Sequence, residues 1–374
     1  MIIAADVHYG LSSDSVPTED GVPSKIRWTM ERLKVLAQAA VKEPDKTLVI
    51  AGDIFNSSDP SSFIFSTFLD FLAWTAELEV VVLLIPGNHD CGFDWAATEV
   101  VRSSSFSNVF TYTEPDIVDT SVGNILLVPH MPGWRDDVKL MDRLRFMAKE
   151  RKPTVGIAHG QFSLDYKHGS EDSLEAGNAM VFNPLELVRI CPHWYIGHIH
   201  AHQDLMVGSV ARIHIPGSII TNDFAEVGQR KGYYVVRRGK TPLFRMFPDG
   251  DWQYTVLDVD LRTLDRPYEK SLKERLRGNM LKVRLKVPEG EVHERLAVRA
   301  ALEALGAHVC RIETEIIRKR ASSLKSQKKG APVHFELNHS ALLKAFLAKT
   351  DLAPADRILA QRTGEEIIQE CLKP

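Results

Sequence analysis

Short apolar runs recur along the first two hundred positions, and five of them end on polar residues. Val80-Val81-Val82-Leu83-Leu84-Ile85 is continuous and rich in β-branched residues, as a strand buried on both faces requires, and it runs into Pro86-Gly87-Asn88-His89-Asp90. Ile2 to Ala5 leads in the same way into Asp6-Val7-His8, Thr47 to Ala51 into Gly52-Asp53, Thr154 to Ala158 into His159-Gly160, and Trp194 to Ile196 into Gly197-His198-Ile199-His200. Each predicts a strand with a polar cluster just past its carboxyl end, where α/β sheets put their chemistry. Ile26, Met30, Leu33, Ala37 and Ala40 recur at helical spacing, positions 136–151 read as a charged helix, and Phe63 to Leu72 reads as a helix packed on a sheet with its phenylalanines in the core. Beyond position 200 the pattern shortens, and 212–215, 233–237, 243–247 and 254–257 are expected as strands of a second sheet packed on the first.

Near 258–267 the composition turns charged, which marks a boundary. Positions 280–287 alternate with period two, 291–305 have helical spacing and 310–316 read as a strand, so a small βαβ unit follows. Arg318, Lys319, Arg320, Lys325, Lys328 and Lys329 then occur without an acid; composition favours a solvated linker over a nucleic-acid contact. Ser340 can cap a helix carrying Leu342, Leu343, Phe346 and Leu347, Pro354 can start another, and Ile367, Ile368 and Leu372 form a last stripe. So short a segment cannot bury these stripes alone and needs a partner or the main body. The expected divisions are 1–257, 268–318, a basic linker at 319–335 and a helical tail at 336–374.

The 374 residues suffice for two domains, and 44% hydrophobic with 25% charged residues is a soluble globular composition. No apolar run has the length of a membrane span and no leader pattern precedes the first strand, so no membrane association and a cytoplasmic location, beside the nucleoid when on DNA, are expected. Cys91, Cys191, Cys310 and Cys371 are scattered without a Cys-x-x-Cys pair, which argues against a disulfide framework or a zinc ribbon. Charge is uneven: residues 1–255 carry 23 basic and 32 acidic side chains, and residues 256–330 carry 18 and 11. The first part suits a cation site and the second a phosphate-backbone surface.

The Asp6/His8 and His198/His200 pairs stand at i, i+2, which on an extended chain puts both side chains on one side. Asn88 can offer an amide oxygen to a hard metal, His89 can donate or shuttle a proton, and Asp90 can orient His89. Glycines 52, 87, 160 and 197 allow close backbone approach to an ion or phosphate. His202 and His214 lack such a setting and read as structural or surface residues.

Asp-x-His, Gly-Asp-x-Phe, Gly-Asn-His-Asp, His-Gly and Gly-His-x-His, in this order, resemble the calcineurin-like metallophosphoesterase superfamily. Asp6-Val-His8-Tyr-Gly10, Gly52-Asp-Ile-Phe55, the aspartate at 90 and Ile215-Pro-Gly-Ser218 are similar to the SbcD and meiotic recombination eleven nuclease family. The resemblance implies an α/β fold, a layered αββα sandwich with a small α+β capping domain and a helical tail. It implies a two-metal DNA nuclease, exonuclease and endonuclease, acting in ATP-regulated recombination and break repair, with manganese favoured over magnesium or iron. One ion would be held by Asp6, His8, Asp53 and His200, and the other by Asp53, Asn88, His159 and His198, while His89, held by Asp90, acts on the leaving oxygen. The implied partners are DNA, through Arg318, Lys319 and Arg320 if they are not merely linker, an SbcC-like coiled-coil ATPase, through the Leu342, Leu343, Phe346 and Leu347 stripe, and a second copy of the chain. Asn56 departs from a pattern in which some members place a histidine, and His130 is a candidate substitute. Two alternatives stand beside this reading: a phosphodiesterase acting on small molecules or nucleotides, and a scaffold subunit with a vestigial pocket.

Overall fold

A computed structural model of the chain describes residues 1–16, 18, 20–91, 101, 106–132, 138–162, 179–207, 210–248, 254–260, 279–288, 295–304 and 306–317. β1 (Ile2–Ala4) leads through α1 (Ser24–Val41) to β2 (Thr47–Ala51), and α2 (Ser62–Glu77) returns the chain to β3 (Val81–Ile85), with β4 (Val109–Thr111) beyond it. These four strands are parallel, with Ile3 beside Val49 and Val49 beside Leu83. The hairpin of β5 (Asp116–Thr120) and β6 (Gly123–Val128) opens a second sheet, to which α3 (Val138–Arg151) connects β7 (Val155–His159). After the small pair β8 (Gln161–Phe162) and β9 (Val181–Phe182), α4 (Pro184–Ile190) leads to β10 (His193–Gly197), followed by β11 (Gln203–Val207) and β12 (Val210–Ile215). The second sheet has the order β11-β12-β10-β7-β6-β5.

The next two strands depart from the sequence expectation. β13 (Gly232–Val235) and β14 (Leu243–Met246) join the first sheet, whose order is β14-β13-β1-β2-β3-β4, and not the second. β13 runs antiparallel to β1 with Ile3 opposite Tyr234, which covers an edge that β1 would otherwise leave unpaired. Likewise β15 (Tyr254–Asp260) leaves the sandwich: it pairs in parallel with β16 (Met280–Pro288), which pairs with β17 (His308–Ile317) across α5 (Arg295–Glu303). In this three-stranded unit Leu281, Val283 and Leu285 pack on Val298 and Leu302, so Lys282, Arg284 and Lys286 share the opposite face.

Period-two burial builds the layers. Ile3, Val49 and Leu83 of one sheet interleave with Ile125, Leu127, Ile157 and Tyr195 of the other, while Ile2, Leu48, Ile50 and Leu84 point outward onto Leu33, Leu36 and Ala37 of α1 and Phe68, Phe71 and Leu72 of α2. Leu140, Leu144, Leu187 and Ile190 cover the outer face of the second sheet. This is the αββα sandwich. Not every phenylalanine of α2 is core: Phe63, in the first turn, is 49% exposed because its face turns away from the sheet.

The described residues lie within one compact unit, Met1–Lys319; a second unit, Arg320–Pro374, lies outside them. Arg318, Lys319, Arg320, Leu342, Leu343, Phe346 and Leu347 are therefore all outside the described residues. Among described residues no helix is long and apolar enough to cross a membrane.

Candidate metal centre

β1, β2 and β3 of one sheet and β7 and β10 of the other end on the same edge of the sandwich, where the chain must turn within one or two residues. Asp6 (φ 51°), His8 (φ 46°), Asp53 (φ 49°) and His198 (φ 95°) all take the left-handed backbone that side chains normally avoid. The i, i+2 expectation of an extended chain therefore fails. β1 stops at Ala4, and Asp6 and His8 converge because their N–H groups donate to the carbonyls of Gly52 (3.2 Å) and Asp53 (2.9 Å). The glycines admit protein groups and not an ion: a Cβ at Gly52 would stand 2.0 Å from His159 Nδ1, and one at Gly87 2.1 Å from Asp53 Oδ1.

The turns gather donors from both sheets into overlapping clusters, Asp6 with His8 and His200, Asp53 with His159 and His198, and His8 with Asp53 and His89. Two donors each about 2.1 Å from one ion and at right angles stand about 3 Å apart. His8 Nε2 and His200 Nε2 are 2.9 Å apart, and Asn88 Oδ1 is 3.0 Å from both His159 Nε2 and His198 Nδ1. Asp53 faces both groups, Oδ2 at 3.6 Å from His8 Nε2 and Oδ1 at 3.3 Å from His159 Nε2. Asp6 Oδ2 and Asp53 Oδ2 are buried with no hydrogen-bond partner among the described residues. Two buried carboxylates with spare acceptor oxygens are costly unless a cation completes them. The residues present fit a pair of divalent ions, and carboxylate, amide and imidazole together suit a transition ion of intermediate hardness.

Burial and neighbours push the two carboxyls apart. Burial raises Asp6 to about 6 against the pull of His159 and His200, whereas for Asp53 burial is outweighed by His159, His8 and His89, which hold it well below the usual range. His159 rises to about 9, because the charge of Asp53 outweighs desolvation.

Asp90 does not orient His89. Its Oδ2 accepts from the backbone N–H of Ile54 (3.0 Å) and Gly87 (2.7 Å) and its Oδ1 from Phe55 (2.8 Å), so it pins the loop that carries Asp53 to the Gly87 turn. Burial, then the charge of Asp53, raises it to about 7. His89 instead sets Nδ1 3.2 Å from the carbonyl of Asn56 and its ring edge-on to His8, centroids 4.7 Å apart. Asn56 thus contributes its backbone. His130 is buried beside the site, lowered to about 4 by desolvation and by His159, and belongs to none of the donor clusters.

One participant is missed by sequence reasoning. Glu226, wholly buried, holds His200 Nδ1 at 2.6 Å with Oε1, while Oε2 accepts from Lys231 Nζ (2.7 Å) and the N–H of Asn222 (2.9 Å). Burial would raise its carboxyl, but His200 and Lys231 depress it strongly, so it remains an anion that fixes the imidazole. The available signal was an acid and a lysine shortly after Ile215-Pro-Gly-Ser218.

The sequence profile of calcineurin-like phosphoesterases matches residues 1–202. The SbcD component of the nuclease SbcCD of Staphylococcus epidermidis is 24% identical over 213 residues, which is 52% of this chain and 56% of that protein, so the match spans only about half of the relative. Among solved structures, a dimetal phosphatase from Danio rerio aligns over 66% of this chain and 94% of its own (TM-score 0.44, 10% identity). A protein of unknown function from Aquifex aeolicus aligns over 51% and 92% (TM-score 0.25, 15% identity).

Proposed function

The chain belongs to the calcineurin-like phosphoesterase family, and from that premise we propose that it is a two-metal DNA nuclease, the hydrolytic subunit of an SbcCD-type complex that processes DNA ends. The observation that carries the hydrolytic part is Asp53, whose two oxygens face two donor clusters that each draw on both sheets. Divalent ions held by Asp6, His8, Asp53 and His200 and by Asp53, Asn88, His159 and His198 would supply an activated water and neutralise charge on the phosphate. Manganese is the ion we favour.

The chain's own residues do the rest. Asp90 and the left-handed turns hold Asp53 between the clusters, and Glu226 fixes His200. His89 donates from Nδ1 to the Asn56 carbonyl, which directs Nε2 toward His8 and Asp53. As an imidazolium His89 would carry a second proton, on Nε2, placed to reach the leaving oxygen or to stabilise the charged transition state.

The nucleic-acid part rests on the sequence motifs, the likeness to an SbcCD subunit and the basic segment. Lys282, Arg284 and Lys286 share one face of the three-stranded unit with Asp258, Asp260, Glu313 and Glu315, which stand beside them in register, and Lys282 is paired to Glu313 at 2.8 Å, so the DNA contact of the capping domain at 268–318 is assigned to the basic residues that follow. Arg318, Lys319 and Arg320 would contact the DNA backbone, and the apolar stripe of Leu342, Leu343, Phe346 and Leu347 would dock on the coiled coil of an SbcC-like ATPase. The test is an end-labelled duplex and bis-p-nitrophenyl phosphate, each with and without manganese and the ATPase. We expect manganese-dependent cleavage of both, with only duplex cleavage stimulated by ATP. Turnover of the small diester with an untouched duplex would make the protein a small-molecule phosphodiesterase, and no turnover of either a scaffold.

A further inference from the structure

β7 and β10 carry a second polar site at their other end. Val155 and His193 pair at the start of these strands and His159 and Gly197 at their finish, so about 13 Å of extended chain separates the two ends. There a cavity of about 590 Å³ opens, lined from both sheets. In its lining Asp204 Oδ1 accepts from His214 Nδ1 and from the Tyr234 hydroxyl, both at 2.6 Å, so that oxygen is already engaged. His214 turns Nε2 toward His193 Nδ1 at 3.4 Å, with the two rings stacked at 17°. Tyr195, stacked on His214, has a buried hydroxyl with no hydrogen-bond partner among the described residues. Burial and the charge of Asp204 push that phenol up, so it stays a neutral donor.

The mouth is cationic. Arg237 is taken by Glu43 through two hydrogen bonds of 2.7 Å, but Arg238 and Lys240 make no ion pair among the described residues, and Arg212 reaches only the Pro192 carbonyl at 3.4 Å. Val155, Val236 and Phe244 form an apolar wall. The site therefore offers donors and positive charge around a single carboxylate, Asp204, and has the volume of a small-ligand pocket, about 300–1,000 Å³. Arginine and a neutral hydroxyl are matched by an oxyanion of the phosphate class.

We propose that this cavity binds a small phosphate-bearing anion, a nucleoside monophosphate or free phosphate, held by Arg212, Arg238 and Lys240 and reaching the Tyr195 hydroxyl, at a site separate from the metal centre. The proposal does not depend on the nuclease reading. It is tested by calorimetric titration of the metal-stripped full chain with AMP and with inorganic phosphate at low ionic strength. Saturable binding is expected, at least tenfold weaker in the Arg212→Ala/Arg238→Ala/Lys240→Ala variant, severalfold weaker in Tyr195→Phe and unchanged in Asp53→Asn. AMP binding more tightly than phosphate would show that the apolar wall holds an organic group; equal affinities would make the phosphate alone the ligand. Hydrolysis of the small diester with manganese restored should persist in the triple variant and in Tyr195→Phe, which shows that both fold. An absence of saturable binding by the unmodified chain, or equal affinity in the triple variant, overturns the proposal. So does a triple variant that loses duplex DNA binding while keeping AMP and phosphate, because the cations would then belong to a DNA surface.

Discussion

The two ends of β7 and β10 solve opposite electrostatic problems. At the carboxyl end Asp6 and Asp53 are fully buried, each keeps an oxygen without a hydrogen-bond partner among the described residues, and both stand on left-handed backbone among five histidines. At the amino end Asp204 Oδ1 takes two donors, Arg238 and Lys240 lie at an open mouth without an ion pair among the described residues, and none of His193, Tyr195, Asp204, His214 and Tyr234 has a positive φ. Backbone strain and unmet negative charge coincide at one end only. A site completed by divalent cations needs its ligands forced together before the cation arrives, whereas a site that receives an anion can be lined by side chains of ordinary strands.

The sharpest break in this contrast is Asp53→Asn. One oxygen of the bridge becomes an amide that cannot serve a cation, so hydrolysis of bis-p-nitrophenyl phosphate should fall about 10³-fold or more, the loss of several kcal/mol of charge stabilisation. Manganese content, measured by plasma emission, should drop with it, while the circular dichroism spectrum stays unchanged. Activity near that of the unmodified chain would end the two-metal account. His89→Gln comes next: turnover should fall about 10²–10⁴-fold, the range for a positioned proton donor, with both ions retained. Loss of an ion in this variant would make His89 a ligand, which its cluster with His8 and Asp53 also permits.

The site was legible in sequence because strand runs and ligands share one segment: a buried strand needs a continuous apolar stretch, and its end is where the polar residues stand. The runs suggested two packed sheets, and the layered sandwich came from the resemblance to the superfamily. The partner of each later strand was not legible, because apolar alternation in 233–235 or 254–257 says that a strand forms but not beside which edge. Equally hidden were the left-handed turns at Asp6, His8, Asp53 and His198, where local preference opposes the conformation and long-range hydrogen bonds impose it. Asp90 was misjudged for a related reason. Adjacency in sequence suggested that it holds His89, but the fold brings three backbone N–H groups to it first.

Glu226→Gln should have an intermediate effect. The amide keeps an acceptor for His200 but loses the charge that balances Lys231, so metal affinity should fall about 10–100-fold, as for other groups that orient a ligand imidazole. Excess manganese should restore turnover in this variant but not in Asp53→Asn. Unchanged affinity would reduce Glu226 to a partner of Lys231 alone.

The smallest effects separate the two ends most finely, through removal of one polar group from each. Asp90→Asn replaces a carboxylate that accepts from three buried N–H groups by an amide with one acceptor atom, so at least one donor loses its partner. That should cost about 1–3 kcal/mol in urea denaturation and slacken the loop carrying Asp53. Tyr195→Phe removes a buried hydroxyl that has no partner among the described residues, and without phosphate its stability should change by less than about 0.5 kcal/mol, or rise. Hydrolysis and metal content should not move. A loss above about 1 kcal/mol would mean that the hydroxyl is already satisfied, and the amino end would no longer differ from the carboxyl end in the way proposed.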